Sequence, residues 1–168
     1  MELIEVRGKK PQIASGCFIA PNAAIIGDVI IGENSSIWFN CVLRGDVEPI
    51  IIGKNCNIQD GTTIHGTHRK CGVTVEDNVS VGHNVLLHGC YIGAGSLIGM
   101  GSIVMDMAKI GQDCLVGAGS LVTENLEFEA GQLILGRPAK AKRPLNPEEI
   151  KTINNRAQEY MNYKQWYV

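Results

Sequence analysis

The residues most able to do chemistry are four histidines, which all fall between positions 65 and 88 of the 168-residue chain. His65 and His83 lie 18 residues apart, and His83 and His88 lie five apart. Imidazole nitrogen is a preferred ligand of Zn(II), and three imidazoles leave a fourth coordination position open for water, as catalytic zinc sites require. The spacing therefore indicates a catalytic metal centre of His65, His83 and His88. Zinc is the expected metal, and the same nitrogens also accept Fe(II) or Co(II).

A six-residue internal repeat must position these histidines. From residue 13 to about 136, the first position of each hexad is Ile, Val or Leu, the second is often Gly, and the fifth is usually small. Three hexads form one triangular coil, in which the branched side chains point inward and stack at the inter-strand distance of ~4.8 Å. We expect the small fifth residues to face the narrow interior and the glycines to serve the corners. The repeat predicts an all-β solenoid, a parallel β-helix of roughly seven coils.

The period changes near the C-terminal end of the chain. Asn146 is a good helix N-cap, Pro147 suits the first helical position, and two glutamates follow where the helix dipole is positive. Apolar and aromatic residues then recur at near-helical spacing. We therefore predict an amphipathic helix from 147 to about 164. The chain is interpreted as a β-helix domain over 1–145 and a helical segment over 146–168 that packs on the prism.

Composition and charge exclude several classes of partner. The net charge is −2 without blocks of like charge, so neither a nucleic acid nor an anionic membrane surface is an expected partner. No stretch has the ~18 apolar residues of a membrane span, and the N-terminal segment does not resemble a signal peptide. We therefore expect a cytoplasmic protein. Four of the six cysteines occupy the small inward column, where cysteine behaves as a small hydrophobe: Cys17, Cys41, Cys56 and Cys114.

The coil also predicts how the histidines lie relative to one another. A separation of one coil indicates that His65 and His83 are close to vertical alignment, whereas His83 and His88 straddle a corner and should diverge. One face of a single chain therefore cannot easily supply all three ligands. A threefold assembly solves this problem, because a second subunit brings its own histidine across the interface. The expected assembly is a homotrimer with one metal site at each of its three interfaces.

The segments around these histidines resemble those of a known family. The sequence NIQD at 57–60, followed by His65 and by VGHNVLLHGC at 81–90, is similar to the signature of the γ-class carbonic anhydrases and their bacterial relatives. The resemblance extends over nearly the whole chain, including the sequence RGD at 44–46 and the C-terminal helix. It implies that the β-helix is left-handed.

The resemblance implies a role for each matching residue. His65 and His88 would come from one subunit, and His83 would come from its neighbour. Gln59 would hydrogen-bond the zinc-bound water or hydroxide, and Asn57 would orient the Gln59 amide. Three charged residues would form ion pairs across the trimer interface: Arg44, Asp46 and Asp60. The position of Asp60, about one coil beyond Arg44, independently favours it as the partner of that arginine.

The implied reaction is the attack of zinc-bound hydroxide on carbon dioxide, a small-molecule substrate, to give bicarbonate. The sequence departs from the best-characterised family type at the step that removes a proton. That type has a glutamate directly after the aspartate that matches Asp46, where this chain has Val47, and a second glutamate in an acidic loop that this chain lacks. Glu48 and His68 are the candidates to replace these glutamates, and we expect the activity on carbon dioxide to be low.

Other classes of function stay open. The sequence GRPAK at 136–140 resembles the tail motif of hexapeptide acyltransferases, which bind acyl-coenzyme A and use one histidine as general base. A zinc-dependent thioesterase would use the same hydroxide, and a non-catalytic scaffold would use zinc only to fasten the trimer. Metal content separates acyl transfer from the zinc-dependent functions, and hydration of carbon dioxide separates an enzyme from a scaffold.

Overall fold

The six-residue repeat forms a left-handed parallel β-helix of about seven coils in the computed structural model, which describes residues 2–167. Within those residues the strands are β1 Glu2–Ile4, β2 Gln12–Ile13, β3 Phe18–Ile19, β4 Ala24–Ile31, β5 Ser36–Ile37, β6 Val42–Ile52, β7 Asn57–Ile58, β8 Thr63–His65, β9 Val73–Val75, β10 Ser80–Val81, β11 Leu86–His88, β12 Tyr91–Ile92, β13 Leu97–Ile98, β14 Ile103–Val104, β15 Lys109–Ile110, β16 Leu115–Val116, β17 Leu121–Val122, β18 Glu127–Phe128, β19 Gln132–Gly136 and β20 Ala139–Pro144. Helix α1 (Pro147–Tyr163) and a 3₁₀ turn (Lys164–Trp166) follow. The fold predicted from the repeat is confirmed.

The strands stack in three parallel faces, one for each side of the prism. Face 1 consists of β3, β5, β7, β10, β13, β16 and β19. Face 2 consists of β1, the first halves of β4 and β6, β8, β11, β14 and β17, and face 3 consists of β2, the second halves of β4 and β6, β9, β12, β15 and β18. The antiparallel strand β20 covers the last edge of face 1 at β19, which closes an edge that would otherwise be open.

The interior is built from the two predicted columns. First-position residues such as Ile58 and Val81 are fully buried, and each pairs with its equivalent in the next coil. The small fifth-position residues satisfy their polar groups on the backbone, as when Ser35 Oγ donates to the Gly53 oxygen at 2.7 Å. None of the six cysteines, which all lie in the described part of the chain, forms a disulfide. Burial raises the pKa of the Cys56 thiol to about 12, so this cysteine is an unreactive core residue.

The second-position glycines are required by close packing rather than by a left-handed backbone. A Cβ on Gly99 would lie 2.5 Å from the backbone nitrogen of Ala118 in the next coil. The left-handed residue at most corners is instead the fourth of the hexad, and it is often asparagine, as at Asn34 (φ 61°) and Asn84 (φ 54°). Asparagine tolerates this conformation better than most residues. The corners therefore depend on a column that the sequence pattern did not single out.

Helix α1 begins at the predicted residue and ends within one residue of the predicted end. A capping box closes its N-terminus: Glu149 N donates to Asn146 Oδ1, and Asn146 N donates to the Glu149 carboxylate, both at 2.9 Å. The helix packs on β7 and β10 of face 1. Ile153 is buried there, and the Tyr160 ring lies 5.3 Å from the Trp38 ring between centroids. The helix is therefore a cover on face 1 of its own prism.

The end of the described chain is anchored to the first coils. Lys164 is buried, and its Nζ donates to the backbone oxygens of Gly16 (2.6 Å) and Asn34 (2.8 Å). No helix in residues 2–167 is long and apolar enough to cross a membrane. The division of the chain into 1–145 and 146–168 stays an interpretation, and Val168 lies outside the described residues.

A matched pair of isoleucines on β6 tests the interior column. Ile52 is 1% exposed, whereas the adjacent Ile51 points outward on face 3 and is 42% exposed. Ile52→Ala should lower the free energy of unfolding by about 2–5 kcal/mol because it leaves a cavity in the column. Ile51→Ala should change it by less than about 0.5 kcal/mol. Denaturant unfolding of both variants at one protein concentration measures the difference, and equal losses would contradict the inward and outward assignment.

Candidate metal centre

Strands β8 and β11 pair in register, and this pairing sets His65 directly beside His88. The two residues are 23 positions apart because the loop over 66–72 lengthens the coil between them. His83 lies instead beside Asp60, at the turns that follow β10 and β7. The prediction that His65 and His83 are vertically aligned is therefore wrong, since a loop inside a coil adds residues without adding height.

His65 and His88 form a pair of imidazoles on face 2. His65 Nδ1 lies 3.2 Å from His88 Nε2, and the ring planes are tilted by 58°. Two nitrogens bound at ~2.0–2.1 Å to a tetrahedral zinc ion are about 3.4 Å apart, so the observed spacing fits two of its four ligands. Within residues 2–167, no group of three or more His, Cys, Asp or Glu side chains is gathered to hold a metal ion. In the single chain, two imidazoles meet at this point.

A carboxylate bonds the far nitrogen of each imidazole. Asp46 Oδ1 lies 3.0 Å from His65 Nε2, and Asp46 Oδ2 accepts a hydrogen bond from Arg44 Nη1 at 2.6 Å. Asp106 Oδ1 lies 2.5 Å from His88 Nδ1. Carboxylates in this position orient metal-binding histidines and make them more basic. The pair is therefore held as metal ligands usually are.

The pKa values of the two carboxyl groups reflect these partners. Burial alone would raise the pKa of Asp46, but the hydrogen bonds from Arg44 and His65 outweigh burial and hold this pKa below its usual range. Burial would also raise the pKa of Asp106, and the hydrogen bonds from His88 and from two side chains of the 66–72 loop hold it well below the usual range. Both carboxyl groups therefore stay ionised at neutral pH.

Sequence reasoning missed Asp106. It follows β14 and lies 18 residues after His88, which is one coil. A search for acidic residues one coil away from each histidine would have found it. Gly89 (φ 57°) makes room for the contact, since a Cβ at that position would lie 2.8 Å from Asp106 Oδ1.

His83 and Gln59 belong to another surface of the chain. His83 Nδ1 lies 3.0 Å from Asp60 Oδ2, and its side chain is 42% exposed. His83 and Gln59 together line a groove of 380 Å³ between face 1 and α1. Gln59 is buried, and its Nε2 donates to Asn57 Oδ1 at 2.9 Å. Asn57 Nδ2 in turn donates to Ser80 Oγ at 2.8 Å, so the orientation of the Gln59 amide is fixed through two hydrogen bonds.

The charged residues predicted at the trimer interface have partners within the chain. Arg44 binds Asp46, and Asp60 lies beside His83 at the edge of face 1. The register sets His65, not Asp60, one coil beyond Arg44. Within the chain, Asp60 is therefore not the partner of Arg44, and ion pairs between subunits stay a prediction.

The two candidates for proton removal lie close to Asp46. Glu48 and the exposed His68 line a cleft of 270 Å³ together with Asp46. The Glu48 carboxylate accepts a hydrogen bond from the backbone nitrogen of Arg69 at 2.7 Å. Both side chains therefore lie at the same cleft as Asp46, the carboxylate that bonds His65.

Family models match the hexapeptide repeat, and the sequence relatives include carbonic anhydrases. The family model described as bacterial transferase hexapeptide (six repeats) matches residues 10–45 and 89–124, and that of the hexapeptide repeat of succinyl-transferase matches 28–65. The chain is 46% identical to a carbonic anhydrase of Geobacillus kaustophilus, over 96% of this chain and 88% of that protein. It is 40% identical to the mitochondrial gamma carbonic anhydrase 2 of Arabidopsis thaliana over 97% of this chain, and it spans 60% of the length of that relative.

A solved structure agrees over almost the full length. A hexapeptide transferase family protein from Anaplasma phagocytophilum is 41% identical and superposes with a TM-score of 0.94, over 99% of this chain and 98% of that one. Such similarity extends across the prism, the helix and the segments that carry the histidines. The chain belongs to the γ-carbonic anhydrase-like family of hexapeptide-repeat proteins.

Proposed function

We propose that the chain is a metal-dependent enzyme of the carbonic anhydrase type, which acts as a homotrimer and hydrates carbon dioxide to bicarbonate. The observation that carries this proposal is the His65–His88 pair, in which two nitrogens lie 3.2 Å apart and each ring is bonded to a carboxylate on its far side. A single general base would need neither the second imidazole nor the second carboxylate. The relatives named carbonic anhydrases, which are 40–46% identical, support the same activity.

The proposed assembly joins face 2 of one subunit to face 1 of the next. Residues that point outward on both faces form apolar ladders, while their strand neighbours point into the core. On face 2 the ladder is Leu86, Ile103 and Leu121, and on face 1 it is Leu97, Leu115 and Leu133. Contact between two different faces closes into a ring when the rotation is threefold. Such a ring brings the His65–His88 pair of one subunit toward His83 of its neighbour.

The residues fit a zinc ion shared by two subunits. His65 and His88 of one chain and His83 of the next would hold it, and imidazole ligands suit Zn(II), Co(II) and Fe(II). When bound, the metal supplies Lewis acidity that makes water a nucleophile near neutral pH. Three neutral imidazoles leave the charge of the ion uncompensated, which favours this effect.

Gln59 would orient the reacting molecules. Its Nε2 is engaged by Asn57, so Oε1 is the end of the amide that remains as an acceptor for a water molecule or for the hydroxyl of bicarbonate. Because Gln59 is buried and shares a groove with His83, it would act from the same subunit as His83. Addition of water to carbon dioxide forms one carbon–oxygen bond and releases one proton.

The released proton needs a route to solvent. Glu48 and His68 are the side chains proposed for this route, because they line the cleft beside Asp46. Glu48 is held by a backbone hydrogen bond, whereas His68 is exposed. Its greater exposure to solvent favours His68 as the relay of the two. We expect a lower rate than in enzymes with two dedicated glutamates.

Acyl transfer is the second candidate, because the matching family model and the similar Anaplasma protein are named as transferases. The GRPAK segment at 136–140 forms the turn between β19 and β20, and Arg137 Nη1 donates to the Gly119 oxygen at 3.0 Å. A zinc-dependent thioesterase and a zinc-fastened scaffold share the metal site with the proposed enzyme. Transfer of an acyl group from acyl-coenzyme A by metal-free protein would favour the acyltransferase over all three.

Metal content and carbon dioxide hydration test the proposal together. The purified protein should contain about one zinc ion per chain, because three interfaces serve three subunits. Stopped-flow hydration of carbon dioxide should exceed the buffer rate at alkaline pH, and a chelator should abolish the excess. A zinc-loaded trimer with no hydration above background would reject the carbonic anhydrase activity.

Mixed trimers test whether two subunits share each site. His65→Ala and His83→Ala chains should each form trimers without zinc, since each lacks one ligand at every site. Co-refolded in equal amounts, the two variants should regain about one quarter of the zinc sites, because an interface is complete when each chain supplies the ligands the other lacks. If all ligands came from one chain, mixing would restore none. His68→Ala is the matched control and should keep full zinc content.

A further inference from the structure

We propose that Asp106 is a positioning residue for the metal centre: one of its carboxylate oxygens fixes the tautomer of His88, and the other fastens the loop over 66–72 to the same point. The inference rests on the proposed function, because it assigns His88 as a metal ligand. It concerns a residue outside the ligand set, one coil beyond His88.

The contacts of Asp106 divide cleanly between its two oxygens. Oδ1 lies 2.5 Å from His88 Nδ1. Oδ2 accepts a hydrogen bond from Thr67 Oγ1 at 2.7 Å and another from Lys70 Nζ at 2.9 Å. The Asp106 side chain is only 8% exposed, so these contacts are poorly screened by water. Removal of the carboxylate would therefore affect both the ligand and the loop.

The Oδ1 contact selects one form of the imidazole. A neutral histidine carries one N–H, and an ionised carboxylate at Nδ1 keeps the proton on that nitrogen. His88 Nε2 is then a lone-pair donor, and Nε2 is the nitrogen that lies 3.2 Å from His65 Nδ1. Without the carboxylate, the proton could move to Nε2, where it would block the coordination of a metal ion.

The Oδ2 contacts help to fix the loop over 66–72, which Lys70 Nζ also ties to Glu124 at 3.6 Å. Residues Thr67 and Cys71 form an isolated antiparallel bridge within the loop. The side chains of Thr67 and Lys70 donate hydrogen bonds to Asp106. The backbone nitrogen of Arg69 donates to the Glu48 carboxylate on β6. The loop carries His68, so the carboxylate that orients the ligand also holds the segment proposed to relay protons.

Asp46 provides an internal comparison. It bonds His65 as Asp106 bonds His88, but its side chain is 24% exposed and its other oxygen binds Arg44, whose side chain is 44% exposed. Asp106 is more deeply buried and has more donors. The loss of Asp106 should therefore have the larger effect.

The test uses Asp106→Asn in the full-length trimer, with circular dichroism and sedimentation to verify the fold and assembly. Asparagine keeps the shape and one acceptor oxygen but loses the charge.

In metal-free protein, ¹⁵N–¹H NMR should show a rise in the fraction of His88 protonated on Nε2. Zinc affinity, measured by chelator competition, should fall about 10–100-fold. Amide hydrogen exchange in residues 66–72 should become faster. Asp46→Asn, compared at a protein concentration at which sedimentation shows it to be trimeric, should lower zinc affinity less.

A double variant separates the effects of the two Asp106 carboxylate oxygens. Thr67→Val with Lys70→Met removes the loop contacts and leaves Oδ1 on His88, so it should speed exchange in the loop, keep the His88 tautomer and change zinc affinity by less than about threefold. An unchanged His88 tautomer in Asp106→Asn would overturn the proposal, as would a double variant that shifts the tautomer equally. If wild-type protein bound no zinc, the proposed function would fail, while the tautomer and exchange measurements would still decide the role of Asp106.

Discussion

The structure depends on one constraint, the hydrogen-bonded stacking of each coil on the next in a fixed register. The inward aliphatic columns enforce this register, because a slip of one residue would turn every buried side chain outward. Residues at equivalent positions of successive coils therefore become neighbours whatever their separation along the chain. The contact of His65 with His88 and that of His88 with Asp106 both arise in this way, across 23 and 18 residues respectively. The stacked coils therefore place a short row of polar groups at a regular spacing along the prism.

The charges in that row bear directly on the proposed metal site. Arg44 offsets the charge of Asp46, and Lys70 offsets that of Asp106. These partners help to hold the pKa values of both carboxyl groups below their usual range. Two lone pairs that face each other at close range repel, and a metal ion or a proton relieves the repulsion. Under the proposed function, this repulsion would favour the binding of a metal ion, in addition to any help that the ion gives to assembly.

Much of the fold could be predicted from the sequence, because a six-residue period determines strands, interior columns and coil number together. The start of α1 could also be predicted, because the capping box at Asn146 depends only on neighbouring residues in the sequence. The residue that stacks on His65 could not be predicted, because the 66–72 loop adds residues to the coil and shifts the register expected from the six-residue period. Asp106 could have been predicted in principle, because it lies one coil beyond His88, but the spacing of the histidines alone does not indicate it. The partner of Arg44 between subunits depends on a second chain, which no register within one chain determines.

The central claim is that imidazoles from two chains meet at one ion, with one coordination place open to water. A crystal structure of the zinc-loaded protein, with anomalous diffraction measured on both sides of the zinc absorption edge, tests this claim most directly. The account predicts a threefold assembly with one anomalous peak at each interface, bonded to His65 and His88 of one subunit and to His83 of the next. Peaks bonded to ligands from one chain only, or an assembly in which His83 lies remote from the metal, would contradict it.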